Sequence, residues 1–587
     1  LPMEVGGFTV SDYVVFGVLM TASCVGGIWY GYTGSRSAAV KDIKDYLLGG
    51  RTMSTFPVAM SLIASYVSGV TILGTPAETY NYGIQYWLIL VSVTLSSVIV
   101  GIVYVPVFCS LKVSSSYEYL ELRFNRHVRA IASILFLLDE VSVVRVKLNN
   151  TCTGNYYQHT LVGICSSGGL RAVVWTDSVQ VGVMFLGVLI VTAAGTVAQG
   201  GFRPILEVAR QNSRLDLSNW SFSMYERHTG WGVLVGGTMY WTAFNSCNQT
   251  MVQRYLALHT AKKARSALAL FSMGAILAIS LCVWCGLLAW AAWFTTGCDP
   301  AGAPLVADRL LPAFVTYIAN LQKLHGLAGV FLAGVFGAGL SSLSAVLNAC
   351  ALVALEDIVR GWMKKRLKPF TEGMIARCIT AALAVISIIM VFVVSKLGGV
   401  LGVATALSAI AASTSCGIFT LGMVCPWVGP RGAIIGGVAG AIVAGTLALG
   451  TQVAAGHGLR QRPQPFEAEC ALNASYVPST FDPETVFPPF RISFHWIAPM
   501  GLTTVILVGA IMGWLLDASE TLHKDTQLFT PVIWRWLPDV YHRNHGERRR
   551  ELHEASGAAG EPPSAPLILG KMDNKVISEY FQFQHGR

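Results

Sequence analysis

The stretch from Phe56 to Gly83, FPVAMSLIASYVSGVTILGTPAETYNYG, is long and apolar enough to cross a lipid bilayer, yet small and hydroxyl residues interrupt its centre. Ser61, Ala64, Ser65, Ser68, Gly69 and Thr71 stand where lipid favours Leu and Ile. Irregular backbone at that depth survives only where it faces protein or a water-filled cavity. Two readings of these residues are open. One is a tightly packed helix, whose small residues let neighbours approach closely. The other is a helix broken near the bilayer midplane, its unwound carbonyls and half-helix ends turned toward a cation and a solute, as secondary transporters build their sites.

Apolar runs near the ~20 residues that span a membrane recur about 11 times along the chain. With 53% hydrophobic and 12% charged residues, a polytopic membrane protein is expected, with no room for a large soluble domain. The formal charge of +9 does not point to nucleic acid, because the basic residues lie in short connections and in the tail. Lipid bilayer, not nucleic acid, is the expected surroundings.

Expected spans are Val10 to Tyr32, the interrupted stretch, Tyr86 to Phe108, Trp175 to Val197, Trp231 to Met251, Ser266 to Phe294, Gly326 to Ala354, Ile375 to Val394, Val400 to Val424, Ala433 to Leu449 and Ile497 to Leu516. No basic leader or cleavage site precedes the first run, so it is expected to stay. Arg36, Lys41, Lys44 and Arg51, then Lys112 to Arg129, then Arg254 to Arg265 and Arg360 to Lys368, all fall on one side. The positive-inside rule makes that side the cytoplasm, with the N-terminus outside and the C-terminus inside. Residues 1–520 then form the transmembrane domain and 521–587 a polar cytoplasmic tail.

The words MSLIASYVSGVTILGTPAETYNYG, SSSYEYLELRFNR, GGLRAVVWTDSVQ, VGGTMYW with NQTMVQRYLA, and AGLSSLSAVLNACALVALEDI follow one another over residues 10–520. In these words the chain resembles a sodium/solute symporter, of the branch containing the sodium-coupled monocarboxylate, multivitamin and iodide transporters. The resemblance implies an all-α, inverted-repeat bundle of the leucine-transporter type, with repeats at about 53–198 and 231–426. It also implies sodium-driven import of a solute across the plasma membrane by alternating access; an enzyme is not expected, because no intramembrane His/Glu metal cluster or Ser/Lys pair stands out in the sequence.

Residue by residue, the resemblance places Na+ between the carbonyls of Ala64, Val67 and Ala338 and the hydroxyls of Ser341 and Ser342, with Asp177 and Gln180 nearby. The chemistry agrees, since a hard cation takes oxygen ligands and neutral ones suffice inside a bilayer. The alternative for each serine is a bond back to its own helix. Ser68, Thr71, Asn248 and Gln249 match positions where the family lines its solute cavity. Thr71 resembles the monocarboxylate branch, which makes a small organic anion the expected substrate. Tyr66, Tyr80, Tyr82, Tyr240 and Trp241 could gate or stack on a ligand, although aromatics on such helices are more often packing residues or interface anchors.

Two features depart from the family. Between Arg129 and Arg171, where it has two crossings, the chain offers one apolar run, Ala130 to Leu138, followed by Asp139, Glu140, Arg145 and Lys147. Two crossings need ~40 largely apolar residues. The first repeat is therefore expected to be incomplete at 130–170, containing no crossing, a re-entrant hairpin or two poor helices. The shortfall reads as sequence lost by exon skipping or misprediction, with a divergent member as the alternative. Second, Ser413-Thr414 replaces a family Gly-Pro, removing a helix breaker, so that segment is expected to run straighter.

Cys298 and Cys470 match family loop cysteines on the outside, where a bridge between them is expected. Asn219 and Asn473 lie in sequons of outer loops and are expected glycan acceptors. The sequon at Asn248 lies inside a span, and that at Asn149 qualifies only if its region reaches the outside. Competing functional readings are a truncated member acting through an intact relative, and an uncoupled ion-conducting pathway.

Overall fold

The computed structural model describes residues 9–37, 48–149, 169–296, 307–363, 371, 374–376, 378–383, 385, 400–456, 485–517 and 525–537. It divides into two compact units, Leu1–Leu522 with Gln527–Val532, and His523–Thr526 with Ile533–Arg587. Among the described residues there are helices and turns and no strand. Cys298, Cys470 and Asn473, and most of the run Ile375 to Val394, lie outside them.

The helices follow the apolar runs. In chain order they are α1 Val10–Ser37, α2 Thr55–Tyr66, α3 Gly69–Tyr82, α4 Ile84–Leu111, α5 Arg126–Asn149, α6 Gly169–Ala198, α7 Phe202–Gln211 and α8 Gly237–Cys247. Then come α9 Gln249–Leu256, α10 Ala261–Thr296, α11 Ala307–Leu321, α12 Leu327–Val353, α13 Val400–Val424, α14 Pro430–Gly456 and α15 Phe494–Leu516. Among the described residues six helices are long and apolar enough to cross a membrane, and α2 with α3, bent by 57°, makes a seventh when the pair is counted as one span. π-helical turns interrupt α4 at Val100–Tyr104, lead into α8 at Gly232–Gly236 and extend α12 at Ala354–Trp362.

Two broken helices, α2 with α3 and α8 with α9, are each followed by a long apolar one, α4 and α10. α6 and α12 pack together at the centre, α1 lies against both, and α2 inserts between α6, α10 and α12. The expected span Trp231 to Met251 is not continuous. It stops at Cys247, and extended Asn248 (φ −67, ψ 123) begins α9 by accepting from the Thr250 amide through its own side chain at 2.8 Å. Val400–Val424, by contrast, is one unbroken helix through Ser413 and Thr414.

In the region after Arg129 the described residues reach only to Asn149, short of what would decide how many crossings 130–170 contains. A single helix, α5, runs through Asp139 and Glu140 to Asn149, because their carboxylates find polar partners on neighbouring helices. Ser408 Oγ donates to Asp139 Oδ1 at 2.6 Å, and Asn248 Nδ2 to Glu140 Oε1 at 2.7 Å. Residues 150–168 lie outside the described set.

The basic connections collect at one end of the bundle. Arg51 donates to the Lys112 and Val113 carbonyls, Arg171 to the Gly49 carbonyl, and His259 Nδ1 contacts the Arg51 carbonyl. Several of these cations are not solvated loop residues, however. Arg123 is fully buried and donates to the carbonyls of Gly422, Cys425 and Val428, satisfying the open C-terminal end of α13. Arg129 is held by Glu121 and Asp357. The connection between α6 and α8 gathers at the opposite end with residues 80–86 and 493, through Arg214 to the Tyr80 carbonyl and the Ser493 amide to the Met224 carbonyl.

α13, α14 and α15 form a tight trio in which two glycine rows meet. A β-carbon at Gly432 would stand 2.6 Å from the Gly513 Cα, and one at Gly436 would stand 2.7 Å from the Gly509 Cα. Four-residue spacing on both helices allows this backbone-to-backbone approach, the small-residue packing of membrane helices. Gly436→Leu is expected to destabilise the fold by about 3 kcal/mol or more, the upper range of overpacking. Thermal unfolding in detergent should show a large drop in midpoint, and Val438→Leu on the exposed face none.

Candidate sodium and solute site

The first break lies at Val67 and Ser68. Val67 leaves the helix with ψ 87, Ser68 is extended at ψ 172, and Gly69 restarts the helix without a side-chain cap. The last carbonyls of α2 thereby lose their helical partners. α12 supplies replacements. Ser341 Oγ donates to the Ala64 carbonyl at 3.2 Å and to the Ala338 carbonyl at 3.0 Å, and Ser342 Oγ donates to the Ala64 carbonyl at 3.3 Å. Four of the five expected sodium oxygens therefore converge across the contact of α2 and α12. Val67 occupies the break itself, its amide bonded to the Ile63 carbonyl.

The neighbouring α6 carries two further buried side chains with an oxygen lacking a partner among the described residues. The stem of Gln180 lies against Gly337, next to Ala338, and its Oε1 is buried with no partner among the described residues. Asp177 is fully buried. Its Oδ2 accepts from Ser61 Oγ at 2.5 Å and pairs with Arg254 Nη2 at 3.2 Å, while Oδ1 has no partner among the described residues. Arg254 also donates through Nε to Ser61 Oγ at 2.6 Å and through Nη1 to the Thr250 carbonyl. Its placement in a solvated basic connection is thus corrected: Arg254 is 1% exposed and joins α9 to α2 and α6. Burying two opposite charges together with hydrogen bonds is what makes either tolerable at that depth.

The solute positions divide. Ser68 is buried at the break, and Thr71 Oγ1 donates to the Tyr66 carbonyl at 3.3 Å, so both stay beside the unwound backbone. Asn248 stands at the second break. Its amide contacts Glu140, which Thr250 Oγ1 also approaches at 3.5 Å. Gln249 turns the other way: its Oε1 accepts from the Ser116 amide at 2.7 Å. Among the aromatics, Tyr66 and Trp241 meet at 4.4 Å between ring centroids, linking the two broken helices, and Phe271 packs on Tyr66 at 5.4 Å. Tyr80 packs on Trp293 and Tyr82 on His228, both remote from the breaks. The amide of Asn219 donates to Glu226 and to the His228 carbonyl, so a glycan there would displace one of these bonds.

Sequence reasoning missed Arg254 and Glu140 as site residues. The available signal was charge beside apolar sequence: Arg254 inside the word NQTMVQRYLA, and Glu140 directly after the run Ala130 to Leu138.

Residues 46–440 match the Sodium:solute symporter family. Sodium-coupled monocarboxylate transporter 1 of Xenopus laevis is 33% identical over 547 residues, covering 88% of this chain and 87% of that relative. The sodium-dependent multivitamin transporter of Oryctolagus cuniculus is 31% identical over 594 residues, covering 97% and 92%. Among solved structures, the substrate-bound outward-open state of a Na+-coupled sialic acid symporter superposes with a TM-score of 0.70 at 20% identity, covering 87% of this chain and 99% of that one. That likeness concerns the fold. The match over 46–440 and the two relatives carry the assignment: this chain belongs to the sodium:solute symporter family, whose co-transported ion is Na+, and it is not an enzyme.

Proposed function

We propose that this chain imports a small organic anion, monocarboxylate- or vitamin-like, across the plasma membrane in symport with sodium, its N-terminus outside and its C-terminus cytoplasmic. Residues 1–520 form the transporting domain and 521–587 the tail. The observation that carries this reading is the convergence of the Ala64 and Ala338 carbonyls with Ser341 and Ser342 at the α2 break. The named activities of the monocarboxylate and multivitamin relatives support the solute class. Ala64, Val67, Ala338, Ser341 and Ser342 hold the ion, with Asp177 and Gln180 close by. Ser68, Thr71 and Asn248 face the solute. The carboxylate of Glu140 repels an anion from the Asn248 side, so the anion's charged end lies toward Ser68 and Thr71.

The Asp177–Arg254 pair ties α9 to α6 and, through Ser61, to α2. We assign it the closure of the bundle on the basic side of the ion site. A Cys298–Cys470 bridge and glycans at Asn219 and Asn473 belong to the same topology on the outer side.

Uptake of radiolabelled butyrate into proteoliposomes under an inward sodium gradient tests the reading. Ser341→Ala and Ser342→Ala each remove one neutral oxygen, a loss on the scale of one hydrogen bond. Each is expected to raise half-saturating sodium roughly five- to thirtyfold, corresponding to about 1–2 kcal/mol. Unchanged half-saturation in both variants would remove the ion from this place.

Asp177→Asn leaves Arg254 buried without its counter-charge and is expected to destabilise the protein by about 3–5 kcal/mol. The paired change Asp177→Asn with Arg254→Gln should be milder than either single change. A double variant at least as unstable as the sum of the singles would show that the two charges do not act as a pair.

A further inference from the structure

Four titratable side chains, Glu78, Arg227, His228 and His495, meet at the end of the bundle opposite the basic connections, away from the broken-helix site. Glu78, on α3, accepts from Arg227 Nε at 3.0 Å and Nη2 at 2.5 Å, and His228 Nε2 lies 3.0 Å from its Oε2. His228 Nδ1 is 3.2 Å from His495 Nε2. Both imidazoles are buried. The rings of Tyr82, Tyr86 and Phe494 surround His228 at 5.4, 5.4 and 6.1 Å between centroids, and the Arg227 guanidinium lies over Tyr82 and Phe494.

These side chains come from parts of the fold with different attachments. Glu78 belongs to the second half of the first broken helix. Arg227 and His228 belong to the connection that enters α8, and His495 to the first turn of α15. The start of α15 also bears on the second broken helix. A β-carbon at Gly236 would collide with the His495 carbonyl oxygen, and one at Gly232 would stand 3.3 Å from Trp496 Nε1. Ser493 secures the connection, its amide donating to the Met224 carbonyl at 2.7 Å and its Oγ to the Arg227 carbonyl at 2.8 Å.

In the neutral pair one arrangement uses every nitrogen at these contacts. His228 donates through Nε2 to Glu78 and accepts at Nδ1 from His495 Nε2. One added proton is shared across the contact between the rings, because an N–H still faces a lone pair. A second is not, because both nitrogens then carry hydrogen. Two imidazolium ions would face each other beside Arg227, with Glu78 already engaged by the guanidinium.

We infer that His228 and His495 form a proton-operated catch, which when neutral holds α3 and the entrance to α8 against α15 and when doubly charged releases them. The inference rests on the topology proposed above, which puts this end outside and makes external acid the releasing signal. Burial holds His228 below the ordinary imidazole range, with Glu78 pulling the other way. The native state thus binds fewer protons than the unfolded chain, so the catch is complete above ~6.5 and weakens as pH falls below it.

Tyr240→Cys places a reporter thiol on α8 beside Trp241. Its modification by a membrane-impermeant methanethiosulfonate is followed at pH 7.5 and 5.5, as the increment over the chain without it. Each rate is normalised to denatured protein at the same pH. Labelling is expected to accelerate at least threefold at pH 5.5, and the acceleration to vanish in His228→Gln/His495→Gln, whose amides can still bond but not charge. Should that double variant fail to fold, His495→Gln alone is expected to cut the response by half or more. Glu78→Gln is expected to raise labelling at pH 7.5. Equal rates at the two pH values, or undiminished acceleration in the glutamine variants, overturns the catch while leaving sodium-driven uptake as a separate measurement. Acceleration seen only with acid and reagent on the C-terminal side overturns the external assignment, and with it the proposed orientation.

Discussion

An interrupted helix inside a bilayer leaves backbone carbonyls that water cannot reach, and the rest of this bundle is arranged to meet them. Each unsatisfied group in hydrocarbon is worth several kcal/mol, so a break survives only beside a donor or an ion. At Ala64 the donors are the two serines of α12, which therefore cannot be placed freely along that helix. The close packing of α2, α6 and α12 follows from the same need.

Charge inside the bundle obeys a second form of this constraint. Asp177 and Arg254 share a buried contact with Ser61, and Asp139 and Glu140 each take a polar partner from a facing helix. The Glu140 contact draws α5 onto the second break. In the stretch where the sequence falls short of two crossings, the Glu140 carboxylate is thus fixed to the residue that interrupts the second broken helix.

Much of this was legible in the sequence. Apolar runs located most of the membrane helices because length and hydropathy are local properties, and small residues at 61–71 marked the first break for the same reason. Ser341 and Ser342 were identifiable through resemblance, which carries long-range contact information that periodicity does not. The Asn248 break was harder to see, since Cys247 and Thr250 read as ordinary helix and the interruption depends on a capping bond. Arg254 was misplaced because a cation near a run of lysines looks solvated unless its partner, 77 residues away in sequence, is known. The direction of Gln249, toward Ser116, likewise depends on a contact that no local pattern encodes.

The π-helical turns have a mechanical consequence. Such a turn holds one residue more than an α-turn, and it can migrate along a helix as hydrogen bonds exchange one at a time. Each step re-aims the one side chain it passes by about 100°, one residue's share of a turn, and leaves those beyond it where they were. The turn at Gly232–Gly236 sits where the entrance to α8 packs on the start of α15, a member of the glycine-packed trio. A helix pinned at its entrance can thus change the face it shows to the cavity by passing the extra residue along, like a wrinkle through a carpet, while its ends stay in place.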